Sequence, residues 1–186
     1  AHGVDGYDHI GLINCAGGLL AQDYEMFENQ NPVHLIKHEL KCDSAGPGQW
    51  RGGYGTETEM LVEGENVAGV VFGDGIEEEA KAFGLFGGGT GILNEMSFTS
   101  PDQSQHRPKS KEIVKDIATH TVLTQIAGGG GGYGDPFKRP IEIVLNEVKN
   151  GLVSVKRAKQ NYGVVIDPES LELDIAATDT VRSKRP

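Results

Sequence analysis

Three glycine-dense stretches set the terms on which this chain can fold: DSAGPGQWRGGYG at residues 43–55, LFGGGTG at 85–91 and AGGGGGYGDP at 127–136. Five glycines and Pro47 in the first remove both helix propensity and side-chain packing, so it reads as a shaped loop. Glycine makes up 27 of the 186 residues, about twice the usual share for an ordinary domain. Whatever core forms must therefore be assembled from the segments between these loops, with many turns.

Those segments read mostly as strand. VHLIKHELKC from Val33 to Cys42 alternates loosely, with Val33, Leu35, His38 and Leu40 failing to keep one strict period. TETEMLVEG alternates cleanly, placing Thr56, Thr58, Met60 and Val62 on one face, and ENVAGVVFGDG follows after a turn at residues 63–66, the pattern of a β-hairpin. ILNEMSFTS and THTVLTQIAG are further strands, the second rich in β-branched residues. Residues 101–116, with Pro101 and Pro108, read as an exposed excursion. Tyr24, Phe27 and Glu28 fit one short helix that Pro32 ends.

Composition changes after GYGDPFKRP. Pro140 suits a first helical turn, Ile141, Val144, Leu145 and Val148 recur at helical spacing, and Gly151 suits the position just past the helix end. Ser154 is placed to cap a second helix through Asn161. VVIDPESLELD gives two extended pieces around a proline turn, and AATDTVRSKR a last helical turn or two. The expected fold is α+β: a mainly β core with glycine-rich loops over residues 1–139 and a helical C-terminal appendage over 140–186.

A formal charge of −10 with no basic stripe excludes a nucleic-acid partner on physical grounds, since phosphate binding needs a cationic face. The basic cluster from Arg182 to Arg185 reads as a solvated tail. No apolar run approaches the ~20 residues of a membrane span and no signal-peptide pattern opens the chain, so a soluble, cytoplasmic protein is expected. Cys15 and Cys42 read as two buried free thiols. The opening AHGVDGYDHIGLINCAGG, without a methionine, reads like mid-protein sequence.

Consecutive glycine N–H groups can cradle phosphate, but Asp135 and Pro136 stand where a phosphate loop needs Lys and Ser/Thr, and LFGGGTG lacks the lysine as well. Close packing of backbones explains these glycines better. Asp5, Asp8 and His9 offer carboxylate and imidazole to a divalent metal. His34 and His38, four apart on a strand, would share a face at roughly 13 Å. Asp43, Ser44 and Arg51 form a candidate substrate-binding set, because a guanidinium on a glycine loop presents an uncrowded fork to a carboxylate or bicarbonate. The alternative is an Arg51–Asp43 pair that pins the loop shut.

In series, ELKCDSAGPGQWRGGYGTE, LFGGGTG and GGGGYGDPFKRPIEIVLNEVKNGLVSVKRAKQNYGVVID resemble, in order and spacing, the C-terminal part of hydantoinase B and oxoprolinase family chains; DYEMFENQNP resembles that family's short Glu-rich segment before a proline. The resemblance covers roughly residues 5–178. It implies a component of an ATP-dependent enzyme: a hydantoinase, oxoprolinase or lactamase, or an acetone/acetophenone carboxylase, working by phosphorylation of an enolate or amide oxygen followed by carboxylation or attack of water. It also implies that ATP and Mg bind on an A-type partner subunit. The rest of a longer B-type subunit would carry most metal and substrate residues, including ligands of any divalent metal in the complex. VVIDPESLELDIAATDTVR resembles the carboxylase branch, so a ketone carboxylase-type complex acting on a small molecule is the first expectation. Cyclic amide hydrolysis or a non-catalytic assembly role are the alternatives.

Overall fold

The computed structural model describes residues 3–8 and 23–184. Helix α1 (Tyr24–Gln30) is capped by Asp23, whose carboxylate accepts from the Met26 N–H, and it ends at Asn31 before Pro32. The strands are β1 (Val33–Leu40), β2 (Thr56–Val62), β3 (Val67–Phe72), β4 (Glu95–Thr99), β5 (Gln105–His106), β6 (Lys111–Ile117) and β7 (Val122–Ile126). They form a five-stranded antiparallel sheet in the order β1-β2-β7-β4-β5 and a separate ribbon of β3 with β6. The α+β class holds.

The loose period of β1 has a specific cause. Leu35 faces Met60 and Lys37 faces Glu59, so Ile36 is an extra residue, a β-bulge. The bulge restores Val33, Leu35, His38 and Leu40 to one face, opposite Val62, Met60, Thr58 and Thr56. It also corrects the histidine expectation: His34 pairs with Leu61 and His38 with Thr58, so the two rings lie on opposite faces. His38 Nδ1 meets Thr58 Oγ1 at 2.7 Å, and His34 Nδ1 lies 3.1 Å from Glu28 Oε1.

One further expectation is overturned. β2 and β3 are consecutive but do not pair as a hairpin, because β1 and β7 occupy both edges of β2. At the turn, Glu63 and Gly64 donate their N–H groups to the Pro32 carbonyl, and Asn66 takes a left-handed φ of 55° that sends the chain out of the sheet. β3 then meets β6, so residues 101–116, exposed along most of their length as expected, also carry a strand. Val67 faces Ile117 and Gly69 faces Val114, which makes β6 one residue longer across the bulge, with Asp116 at φ 54°. The bulge turns both Val114 and Ile117 inward, at a spacing of three that hides strand periodicity. The ribbon's inner side packs Val67, Val71 and Val114 against Val62, Phe98 and Ile117; Val70, Phe72 and Ile113 face outward, exposed.

Helices α2 (Ile141–Lys149), α3 (Val155–Tyr162) and α4 (Ile175–Ser183) follow the expected signals. Pro140 precedes α2 and Gly151 takes a φ of 72° beyond it; Ser154 caps α3 and Asp174 caps α4, each contributing about 1 kcal/mol. Ile166 bridges Leu173 around the proline turn. Val144, Val148, Val153, Ala158, Tyr162, Val164 and Ile166 share one core with Ala45 and Tyr54 of the first glycine loop. Residues on both sides of position 140 thus bury a common surface. Arg182 is not part of a solvated tail: it donates to the carbonyls of Tyr162 and Arg139 and holds α4 against the preceding chain. Among the described residues no helix is long and apolar enough to cross a membrane.

Candidate functional site

The three glycine stretches come together in the fold, running beside one another with backbone against backbone. Gly46 N donates to Gly130 O, Gly130 N to Gly53 O, Gly132 N to Gly89 O and Gly89 N to Pro47 O, so the loops satisfy one another's polar groups as strands in a sheet do. The approach is close enough to require glycine. A β-carbon on Gly52 would fall on the Gly130 carbonyl, and one on Gly53 on the Tyr7 carbonyl. The N–H groups of Gly128, Gly130 and Gly132 are already donated, to Asn94 Oδ1, Gly53 O and Gly89 O. This agrees with the reading of the glycine run as a packing device.

On the side of this sheaf that meets α2 lies a partly buried ionic cluster. Arg139, only 1% exposed, forks onto Asp5 with Nη1 and Nη2 each 2.8 Å from a carboxylate oxygen. Its Nη2 also donates to Glu147 Oε1 at 2.7 Å and its Nη1 to the Gln49 carbonyl at 3.1 Å. Arg51 donates from Nε to the same Glu147 oxygen at 2.9 Å and from Nη1 to Asp8 Oδ1 at 2.8 Å. Its guanidinium lies 4.1 Å from the Tyr54 ring centroid, a cation–π contact. Backbone N–H groups of Arg51 and Tyr54 complete the carboxylates of Asp5 and Asp8.

Three carboxylates thus face two guanidiniums, leaving one formal negative charge in the cluster. Burial alone would raise the Asp5 carboxyl, yet the Arg139 hydrogen bonds and charge, with the Arg51 N–H, hold it below its ordinary value. Burial likewise works against the charged form of both arginines, and the surrounding carboxylates more than reverse it, so both stay protonated. Removing Arg139 or Glu147, the two buried members, strands the other's charge, at a cost of about 3–5 kcal/mol.

The two sets of residues expected from the sequence are redistributed. Arg51 joins Asp5 and Asp8, not Asp43. Asp43 sits at a left-handed φ of 61° and accepts from the Ser154 N–H at 2.8 Å, which ties the first glycine loop to the start of α3. Ser44 is fully buried; its hydroxyl donates to Lys41 O and accepts from Gly55 N, drawing the two ends of that loop together. The Arg51–Asp43 pair is therefore replaced by Arg51–Asp8 and Arg51–Glu147. His9 and Cys15 lie outside the described residues. Of the expected metal group, Asp5 has both oxygens bonded to Arg139 and Asp8 has Oδ1 bonded to Arg51. Among the described residues no cluster of three or more His, Cys, Asp and Glu side chains is placed to hold a metal ion. Cys42, expected to be buried, is exposed just past the end of β1.

Arg139 and Glu147 are the members that sequence reasoning missed. Arg139 lies between Lys138 and Pro140 and has the look of a surface charge. Glu147 gives a fainter signal, a carboxylate flanking the apolar stripe of Val144 and Val148 on α2.

A glycine-packed β scaffold stapled to C-terminal helices by an arginine–carboxylate cluster defines a structural module with a pre-set backbone surface. The chain belongs to the hydantoinase B/oxoprolinase family, whose model matches residues 1–136. It is 36% identical over 97% of its length to the β subunit of caprolactamase from Pseudomonas jessenii, of which it spans 31%. The crystal structure of the ATP-dependent caprolactamase from Pseudomonas jessenii superposes with a TM-score of 0.80 at 31% identity, covering 98% of this chain and 32% of that one. A nucleotide-free acetone carboxylase structure superposes with a TM-score of 0.82 at 22% identity, covering 97% of this chain and 28% of that one, a likeness of fold. The chain therefore spans about a third of the relatives it matches.

Proposed function

We propose that this chain is the portion of a B-type subunit that walls the reaction site of an ATP-dependent complex, and that the complex opens a cyclic amide of the lactam type. The observation that carries the choice is a contrast. Fold likeness to the lactamase and to the ketone carboxylase is equal, at TM-scores of 0.80 and 0.82, whereas identity is 31% to the first and 22% to the second. Equal folds with unequal side-chain agreement favour the chemistry of the more similar relative.

In this reading ATP and Mg bind on an A-type companion subunit, which transfers the γ-phosphoryl group to the amide oxygen and releases ADP; one water then attacks the activated carbon, the C–N bond breaks to leave an acyl phosphate, and a second water releases inorganic phosphate. Any divalent metal takes its ligands from the remaining part of the B-type subunit. The role of this chain is to hold rigid backbone beside the intermediate and limit its exposure to bulk water. The glycine sheaf suits that role because its shape is set by backbone hydrogen bonds, and the Arg51 and Arg139 cluster fixes it to the helices. Asp43 and Ser44 act by shaping the first loop. Ketone carboxylation is the competing chemistry, favoured by the resemblance of the tail VVIDPESLELDIAATDTVR to the carboxylase branch.

The test is ATP turnover by the full complex, with its companion subunits, given either a lactam or a ketone with bicarbonate. ATP consumption that depends on the lactam and ignores bicarbonate is expected. Consumption that requires ketone and bicarbonate replaces hydrolysis with carboxylation, and a complex that assembles but turns over neither substrate leaves this chain an assembly role.

A further inference from the structure

The second glycine stretch holds a tight turn whose geometry runs against its sequence. Gly88 N donates to Leu85 O at 3.0 Å, and the two residues between them, Phe86 at φ 52° and Gly87 at φ 93°, are both left-handed. Such a turn favours asparagine, aspartate or glycine at its first central position, because only glycine, or a short polar side chain that bonds locally, enters left-handed backbone readily. Phenylalanine gains nothing from that geometry. Its ring is 77% exposed and touches the Tyr133 ring at 5.0 Å between centroids.

The turn is held from behind. Leu85 donates its N–H to Gly132 O and accepts from Gly134 N, and a β-carbon on Gly131 would fall on the Phe83 carbonyl. Phe83 (72% exposed), Leu85 (49% exposed) and Phe86 therefore project from backbone that the third glycine stretch fixes in place. Two aromatic rings and a leucine on rigid backbone have the make-up of an anchor that enters a partner's pocket, since little freedom is left to lose on docking. Backbone strain that serves only to display a side chain belongs to such sites.

We propose that Phe86, with Phe83 and Leu85, docks into an apolar pocket on the part of the B-type subunit that lies outside this chain, and so seats the glycine sheaf against the rest of that subunit. This rests on the reading of the chain as a portion of such a subunit. The chain spans 31% of the caprolactamase β subunit, which leaves the larger part of that polypeptide to supply the pocket. A pocket on the same polypeptide meets the anchor at high effective concentration, so a patch of three side chains suffices to hold it. The exposed run from Glu77 to Glu79, a few residues before the patch, disfavours a lipid surface with its anionic headgroups.

Two measurements on the full-length subunit in its complex decide the matter. Neither uses substrate, so both stand apart from the choice between lactam and ketone. A photoreactive benzoylphenylalanine at position 86 should cross-link within the same polypeptide, to a peptide outside residues 1–186. Cross-links inside this stretch, to a companion subunit, to a second copy or to lipid, or no cross-link at all, overturn the proposal. In thermal unfolding, Phe86→Asn gives the turn a residue it favours and removes the ring, and with the ring docked Tm should fall by at least about 2 °C. An unchanged or higher Tm means that the ring faces solvent and that its removal only relieves strain, and it sinks the idea independently of the cross-linking.

Discussion

The glycine sheaf and the β3–β6 ribbon hold their shape by opposite means. In the sheaf, neighbouring segments meet mostly backbone to backbone, and the space between them excludes even a methyl group at Gly52 or Gly53. In the ribbon, one face is seated by the side chains of Val67, Val71, Val114 and Ile117, and the other leaves Val70, Phe72 and Ile113 exposed. A backbone-packed region has almost no tolerance for added volume, whereas a side-chain-packed ribbon with a free face has a good deal. The contrast separates where this fold stores its rigidity from where it can absorb change.

The sharpest way to break the comparison is to add the same methyl group to each region. Gly52→Ala drives a β-carbon into the Gly130 carbonyl, which belongs to backbone that cannot rotate away. Loss of at least about 4 kcal/mol is expected in denaturant unfolding, or no folded protein at all. A Gly52→Ala protein with wild-type stability would show that the sheaf can slide apart.

A smaller effect tests whether the sheaf depends on its ionic staple. Arg139→Met leaves Asp5 and Glu147 facing each other without their shared guanidinium, and a loss of about 3–5 kcal/mol is expected by the same measurement. A loss under about 1 kcal/mol would mean that Arg51 alone holds the carboxylates and that Arg139 is dispensable.

At the other extreme stands Gly73, at the end of the ribbon, where a β-carbon would meet nothing within 4 Å. Gly73→Ala should move stability by no more than about 0.5 kcal/mol in either direction. A large loss there would erase the distinction between the two regions.

Much of the architecture was legible because local rules and tertiary packing agreed. Ser154 caps α3, Gly151 follows α2 with positive φ, and the Thr56, Thr58, Met60, Val62 face turned inward as its alternation required. The misreadings cluster where one residue breaks the period. Ile36 shifts β1 by one, which separates His34 from His38, and the bulge at Asp116 disguises β6 inside a charged, proline-flanked stretch. The hairpin expectation failed for a non-local reason, since nothing near β2 in sequence announces that β7, some sixty residues on, takes the edge β3 would have used. The ionic cluster was half visible. Arg51, Asp5 and Asp8 stood out by chemistry, but their true partners lie far along the chain and look like surface charges until the fold brings them in.

That distance gives the Asp5–Arg139 contact a meaning in time as well as in space. The two residues are 134 positions apart, so the fork between them closes one of the longest loops the chain can make. Contacts of such separation form late, because the entropy of closing the loop must be met before the contact returns anything. During synthesis, Asp5 and Asp8 leave the ribosome long before Arg139 and Glu147 exist, and they wait as hydrated carboxylates while the intervening strands order. Closure of the cluster is then a late event in assembling the module, and it joins the first described residues to the last helices only when everything between them is in place.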